Sequence, residues 1–149
     1  MDWNNCFSHG RFGQGFISTT PRTPYERDFD RLIFSAAFRR LQDKTQVFPL
    51  PGPVLVHNRL THSLEVASVG RSIGKLVGER LTEVLQDSLS LAAKHFYAAD
   101  LSSVIAAACL AHDIGNPSFG HSGEAAISAY FIDKAGTILN GQPLQNHFN

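Results

Sequence analysis

Apolar residues recur at spacings of three and four over most of this chain, which predicts helices rather than strands. The first helix is predicted from Pro24 to Leu41. Thr23 and Glu26 are the residues of a capping box around its start, and proline suits the first helical position. Prolines and a glycine between residues 49 and 53 break the pattern, so residues 45–57 are predicted to form a loop or a short extended piece.

A second helix is predicted to begin after Asn58, which suits the capping position, and to continue into the eighties. The helical pattern then continues to Phe96, with a break near Asp87 and Ser88. The apolar residues predicted to face the core from this second helix are Leu64, Val66, Val69, Ile73, Leu76 and Val77.

An Ala-rich buried helix is predicted from Leu101 to Asp113, with Asp100 as its cap. The residues 115–117, Gly-Asn-Pro, end that helix, and a last helix is predicted from about 122–124 to 135. No stretch alternates between apolar and polar residues as a strand would. The predicted class is therefore all-α.

Length and composition suit one compact domain, because 149 residues of which 43% are hydrophobic can bury one sizeable core. Residues 1–22 lack periodicity and are predicted to form an irregular arm, which leaves residues 23–149 for the domain. Cys6 and Cys109 are too few and too far apart for a disulfide framework, and Cys109 is predicted to be a small core residue. No signal peptide and no membrane-length apolar run is apparent, so we expect a cytoplasmic protein without a membrane partner.

Charge is distributed unevenly although the formal net charge is zero. Residues 1–80 hold 11 Lys and Arg against 7 Asp and Glu, whereas residues 81–149 hold 2 against 6. The zero net charge argues against a protein that coats polyanions in general. The asymmetry suits an anionic ligand between a basic first half and a metal-binding second half, although mutual attraction of the two halves explains it equally.

The candidate chemistry lies in His62, His112 and Asp113, which offer a mixed nitrogen and oxygen ligand set for a divalent metal. Mn²⁺, Fe²⁺, Co²⁺ and Mg²⁺ fit this set better than a closed structural zinc site does. The His-Asp pair closes an apolar run, and a buried ionisable pair needs a partner. The alternatives are a surface position for His62 and an Asp113 that merely bonds the imidazole or a backbone amide.

Three motifs carry a resemblance to a known family. The first motif comprises Arg27-Asp28-Phe29-Asp30-Arg31, Phe38-Arg39-Arg40-Leu41 and Lys44-Thr45-Gln46-Val47-Phe48. The second motif is Arg59-Leu60-Thr61-His62-Ser63-Leu64-Glu65. The third motif is His112-Asp113-Ile114-Gly115-Asn116-Pro117 followed by Phe119-Gly120-His121-Ser122-Gly123-Glu124. In this order and spacing they resemble the dGTPase-like deoxynucleoside triphosphate triphosphohydrolases of the HD superfamily. The resemblance covers most of residues 20–130.

The resemblance implies an all-α HD domain of which this chain is the N-terminal part. Family chains are several times longer, and a second Asp far downstream completes their metal site. The one Asp after Asp113 is Asp133, which lies on a predicted helix and is a poor candidate. The chain is therefore expected to hold three of four metal ligands.

The resemblance also implies the reaction and further roles. The reaction is hydrolysis of a dGTP-like deoxynucleoside triphosphate to the deoxynucleoside and inorganic triphosphate. His121 and Glu124 are expected to serve acid/base chemistry, Gln46 to contact the deoxyribose or base, and Arg59 to bind phosphate oxygens. Without the resemblance, Glu124 is a carboxylate favoured at a helix start and Arg59 an ordinary surface salt bridge. Similar enzymes form oligomers, so a homo-oligomer is expected of the full-length protein.

Two other functions remain open. One is a different HD phosphohydrolase, such as a 5′-nucleotidase or a cyclic-nucleotide phosphodiesterase, against which the Arg-rich opening motif and the His121/Glu124 segment argue. The other is a non-catalytic nucleotide- or single-strand-binding module, which the absent fourth ligand and the basic stretch would suit. Single-stranded DNA is a partner in that case.

Overall fold

The computed structural model describes residues 2–10, 22–44 and 58–144. These residues belong to two compact units, the first ending at Ile114 and the second beginning at Gly115. The helices are α1 Pro24–Phe34, α2 Ala36–Arg39, α3 Arg59–Val84, α4 Leu91–His95, α5 Leu101–Ala111 and, in the second unit, α6 His121–Asp133. The second unit also holds a two-stranded antiparallel ribbon, β1 Ile138–Leu139 and β2 Gln142–Pro143. The all-α class is confirmed, although the prediction that no strand forms missed this short ribbon.

The first predicted helix is interrupted at Ser35. The capping box at its start is present, since the Thr23 hydroxyl accepts a hydrogen bond from the Glu26 amide and the Glu26 carboxylate accepts one from the Thr23 amide. Ser35 is extended, with ψ 143°, and its hydroxyl accepts a hydrogen bond from the Phe38 amide. The prediction of one helix to Leu41 is therefore wrong, because the serine hydroxyl competes with the helical backbone pattern and starts α2. A 3₁₀ turn, Arg40–Asp43, follows α2.

Small residues of α3 face α5, whereas five of the six large apolar residues predicted to face the core are exposed and the sixth, Val66, is half-buried. Leu64, Val69, Ile73, Leu76 and Val77 are between 43% and 67% exposed, so their predicted core positions are wrong. The buried residues of α3 are Ser63, Ala67, Gly70, Gly74 and Gly78. The reason is close packing of the two helices, since a Cβ atom added to Gly70 would lie 2.5 Å from the Cys109 Sγ atom.

Helices α4 and α5 form one continuous helical segment, because a π-helical turn, Phe96–Asp100, joins them. Asp100 has right-handed helical angles and its side chain makes no capping hydrogen bond, so the predicted cap at Asp100 is wrong. The break predicted near Asp87 and Ser88 is confirmed, since α3 ends at Val84 and Ser90 caps α4.

The first unit contains two apolar clusters. One is built on Tyr25, Leu89, Ala93, Phe96 and Tyr97, and Phe7 stacks on Phe96 with ring centroids 4.5 Å apart. The other is built on Phe38, Leu41, Ala67 and Leu110, with half-buried residues that include Cys109 and Ile114 packed against it. The second cluster supports the start of α3 and the end of α5, where the candidate metal ligands lie.

Candidate metal centre

The start of α3 places Arg59 and His62. The Asn58 side chain accepts a hydrogen bond from the Thr61 amide at 2.9 Å, which confirms the predicted cap. The Arg59 amide donates to the Lys44 carbonyl at 2.9 Å, so the first turn of α3 is anchored to the end of the preceding 3₁₀ turn. Residues three apart on a helix are neighbours, and Arg59 and His62 therefore project from adjacent positions on this first turn.

The end of α5 places His112 and Asp113. The helix ends at Ala111, and both residues lie in the turn that follows. The His112 Nδ1 atom lies 2.7 Å from the Cys109 carbonyl oxygen. Because a carbonyl oxygen only accepts, Nδ1 carries the hydrogen in this contact, and the Nε2 lone pair of the neutral ring is left for a metal ion.

The three predicted ligands come together in the structure. One ligand atom from each of His62, His112 and Asp113 can be chosen so that all lie within 4.8 Å of one another. The two imidazole rings have centroids 5.2 Å apart and an interplanar angle of 72°. No other group of three or more His, Cys, Asp or Glu side chains is so placed within residues 2–10, 22–44 and 58–144.

These residues fit a divalent cation. Two donors bound at about 2.1 Å from one ion lie about 3.0 Å apart when they are adjacent in an octahedral site and about 4.2 Å apart when they are opposite. The present separations of up to 4.8 Å would therefore have to shorten when an ion binds. The set of two imidazoles and one carboxylate suits the first-row divalent metals and Mg²⁺ that the sequence predicted.

Arg59 contacts the candidate ligand Asp113 directly. Its Nη1 atom lies 2.8 Å from Asp113 Oδ1, and the two side chains are only 16% and 8% exposed. The second carboxylate oxygen, Oδ2, lies 3.7 Å from His112 Nε2. The two oxygens of Asp113 therefore face different partners, one the guanidinium and the other the imidazole.

The contact between Arg59 and Asp113 was not predicted from the sequence, because the two residues are 54 positions apart and no local pattern links them. The available signal was the expected burial of Asp113 together with the rule that a buried carboxylate needs a partner. Arg59 is the only Lys or Arg in the two ligand-bearing motifs, residues 59–65 and 112–124. Phosphate binding by Arg59 stays a prediction.

His121 and Glu124 meet at the first turn of α6, with 3.0 Å between His121 Nδ1 and Glu124 Oε2. Both are exposed, at 102% and 53% for the side chains. They belong to the second unit, and their acid/base role stays a prediction. Asp133 is the last residue of α6 and lies 3.0 Å from the Lys134 ammonium. Gln46 lies outside the described residues.

A cavity of about 430 Å³ lies beside His62, with mainly apolar walls. Besides His62 it is lined by Glu65, Val66, Val69, Gly70, Ile73 and Cys109. Val69 and Ile73 were predicted to face the core, so this cavity was not expected from the sequence. Helices long and apolar enough to cross a membrane are not found in the described part of the chain.

Comparison with known proteins gives a family match and named relatives. The HD domain family matches residues 59–147. The chain is 47% identical over 148 residues to a "Deoxyguanosinetriphosphate triphosphohydrolase-like protein" of Synechocystis sp., covering 94% of this chain and 32% of the relative. It is 49% identical over 138 residues to a protein of the same name from Pseudomonas aeruginosa, covering 91% of this chain and 30% of the relative. It is 51% identical over 122 residues to a "Deoxyguanosinetriphosphate triphosphohydrolase" of Klebsiella pneumoniae, covering 80% of this chain and 24% of the relative. The chain thus spans a third or less of the length of these relatives.

Proposed function

Because the chain belongs to the HD domain family, we propose that it forms part of a divalent-metal phosphohydrolase that cleaves a deoxynucleoside triphosphate to the deoxynucleoside and inorganic triphosphate. The observation that carries the proposal is the grouping of His62, His112 and Asp113, with ligand atoms within 4.8 Å of one another. The names of the relatives support a nucleoside triphosphate as the substrate. A dGTP-like substrate is the specific form of this proposal.

The three ligands would hold the metal ion from two helix ends. His62 comes from the start of α3, whereas His112 and Asp113 follow the end of α5. A divalent cation bound there supplies a Lewis acid for a phosphoryl oxygen and lowers the pKa of a bound water. The Cys109 carbonyl holds the His112 ring so that Nε2 faces the site, which prepares that ligand before the ion binds. We propose that a further carboxylate, of the kind that the resemblance implies, completes the site from outside the described residues.

The remaining roles follow from the chemistry of the leaving group. Cleavage at the α-phosphorus puts negative charge on the sugar oxygen, which needs a proton. His121 is the proposed donor, since Glu124 contacts its Nδ1 atom and leaves Nε2 for the proton transfer. Arg59 and Gln46 are proposed to contact the phosphates and the deoxyribose or base. A cytoplasmic location, a homo-oligomer and single-stranded DNA as a partner stay predictions.

The proposal is tested by identifying the products. The longer protein that the resemblance implies is incubated with dGTP and Mn²⁺, and triphosphate is separated from diphosphate and monophosphate. We expect deoxyguanosine and intact triphosphate, with turnover lost in Asp113→Asn and retained in the control Asp133→Asn. Release of diphosphate or monophosphate would instead indicate another HD phosphohydrolase. Binding of dGTP without turnover would indicate a non-catalytic module.

A further inference from the structure

We propose that Arg59 is a positioning residue of the metal centre, which holds Asp113 by one carboxylate oxygen so that the other faces the site. This inference rests on the proposed metal site and adds a role for Arg59 that precedes nucleotide binding. Arg59 Nη1 lies 2.8 Å from Asp113 Oδ1, and Asp113 Oδ2 lies 3.7 Å from His112 Nε2. The carboxylate is thereby oriented by the guanidinium on one side and offered to the metal on the other.

The position of the pair in the fold gives it a second effect. Arg59 is the first residue of α3, three positions before His62, and Asp113 directly follows His112 at the end of α5. The Arg59–Asp113 contact therefore ties together the two chain segments that carry all three ligands. Since these segments are far apart in sequence, a direct link between them reduces the rearrangement that metal binding requires.

Burial makes this contact more than a surface ion pair. With side-chain exposures of 16% and 8%, water competes weakly for either group. Removal of the guanidinium would leave a buried carboxylate without that cation, and the carboxylate would turn toward other donors. A guanidinium has five N–H donors in a fixed fork. Its contact with Asp113 thus remains compatible with the predicted contact to phosphate.

Two effects of Arg59 on metal affinity have opposite signs. Its positive charge repels a dication, so loss of the charge would tighten metal binding. Its hold on Asp113 orients a ligand, and loss of such an outer partner typically weakens metal binding by about 10–100-fold. We infer that orientation dominates, because Arg59 contacts Oδ1 and leaves Oδ2 toward His112.

The test is Mn²⁺ affinity without nucleotide, measured by electron paramagnetic resonance of free Mn²⁺ during titration of the 149-residue chain. Arg59→Gln is expected to weaken binding by about 10–100-fold. Arg59→Lys keeps the charge but lacks the planar fork, so it should recover only part of the affinity. Arg80→Gln is the matched control, since Arg80 lies on the same helix, is exposed and contacts Glu83. Its affinity should equal that of the unaltered chain.

Whether the effect of Arg59→Gln on Mn²⁺ affinity depends on Asp113 is tested by making the same change in Asp113→Asn. Asp113→Asn and the double variant Arg59→Gln/Asp113→Asn are titrated at higher Mn²⁺ concentrations. If Arg59 acts through Asp113, Arg59→Gln should weaken binding far less there than in the unaltered chain. Equal fold-losses in the two backgrounds would overturn the inference.

The outcomes separate this inference from the proposed function. Absence of Mn²⁺ binding by both the unaltered chain and the longer protein, in which the further carboxylate completes the site, would mean that the proposed metal site has failed. If the unaltered chain binds Mn²⁺ and Arg59→Gln binds Mn²⁺ as tightly or more tightly, only the proposed role of Arg59 would be overturned. Circular dichroism shows whether each variant is folded. If Arg59→Gln is not folded, the Mn²⁺ affinity of Arg59→Lys is used instead. An affinity of Arg59→Lys equal to that of the unaltered chain would overturn the inference.

Discussion

Gly70→Ala tests whether close contact between α3 and α5 fixes the distance between the ligand-bearing segments. An added Cβ atom would lie 2.5 Å from Cys109 Sγ, 3.3 Å from Ile105 Cγ2 and 3.4 Å from Cys109 Cβ. Ordinary contacts begin at 3.4 Å, so the sulfur must move by close to an ångström or the helices must separate. Overpacking of this kind costs about 1–3 kcal/mol, whereas alanine is the better helix former by about 1 kcal/mol. We expect a net loss of about 1 kcal/mol, or about 2–4 °C in Tm.

A double-mutant cycle isolates the contact from the change in helix propensity. Cys109→Ala removes the sulfur that the new methyl group meets, so Gly70→Ala should cost about 1–2 kcal/mol less in that background. Free energies of unfolding from urea denaturation, followed by circular dichroism, measure all four chains. Gly136→Ala is the control, because nothing lies within 4 Å of an added Cβ there.

The cycle has a clear contradicting result. If Gly70→Ala has the same effect with and without the Cys109 sulfur, within about 0.3 kcal/mol, the proposed contact does not limit the approach of the helices. The carbonyl of Cys109 also holds His112. Displacement of Cys109 is therefore the route by which this packing contact would reach the metal site.

Three further predictions concern the site and the core. His62→Ala and Asp113→Ala should each abolish metal retention by the longer protein, measured by plasma mass spectrometry, and normal metal content in both would contradict the ligand assignment. His121→Ala should keep the metal but lower turnover by about 10²–10⁴-fold, because the proton donor is lost; undiminished turnover would remove His121 from the mechanism. Tyr97→Phe should lower the free energy of unfolding by about 0.5–1.5 kcal/mol, because the Trp3 carbonyl loses the hydrogen bond that the hydroxyl donates at 2.7 Å. Urea denaturation measures this loss, and an unchanged midpoint would mean that water replaces the hydroxyl at no cost.

Local signals predicted helix starts well. The capping residues Thr23 and Asn58 act within one turn, so their chemistry can be recognised from four consecutive residues. Ser35 shows the limit of such signals, because a serine inside a helical pattern either continues the helix or caps a new one. Asp100 shows the opposite error. It was predicted to cap the start of a new helix, whereas the preceding π-helical turn continues directly into α5.

Long-range packing was harder to predict. Hydrophobic periodicity assigns the largest apolar residues to the core, whereas α3 approaches α5 through glycines such as Gly70 and Gly74. That choice depends on the partner helix, which the pattern of α3 alone does not contain. The grouping of His62, His112 and Asp113 was predicted from the motifs that contain them. The contact between Arg59 and Asp113 was not predicted, because it depends on how α3 and α5 are placed.

The most direct test of the metal centre is an anomalous difference map from crystals of this chain grown with Mn²⁺. We expect one peak at about 2.0–2.3 Å from a ring nitrogen of His62, the Nε2 atom of His112 and a carboxylate oxygen of Asp113. A fully occupied Mn²⁺ peak elsewhere, or no peak at these three residues under saturating Mn²⁺, would contradict it.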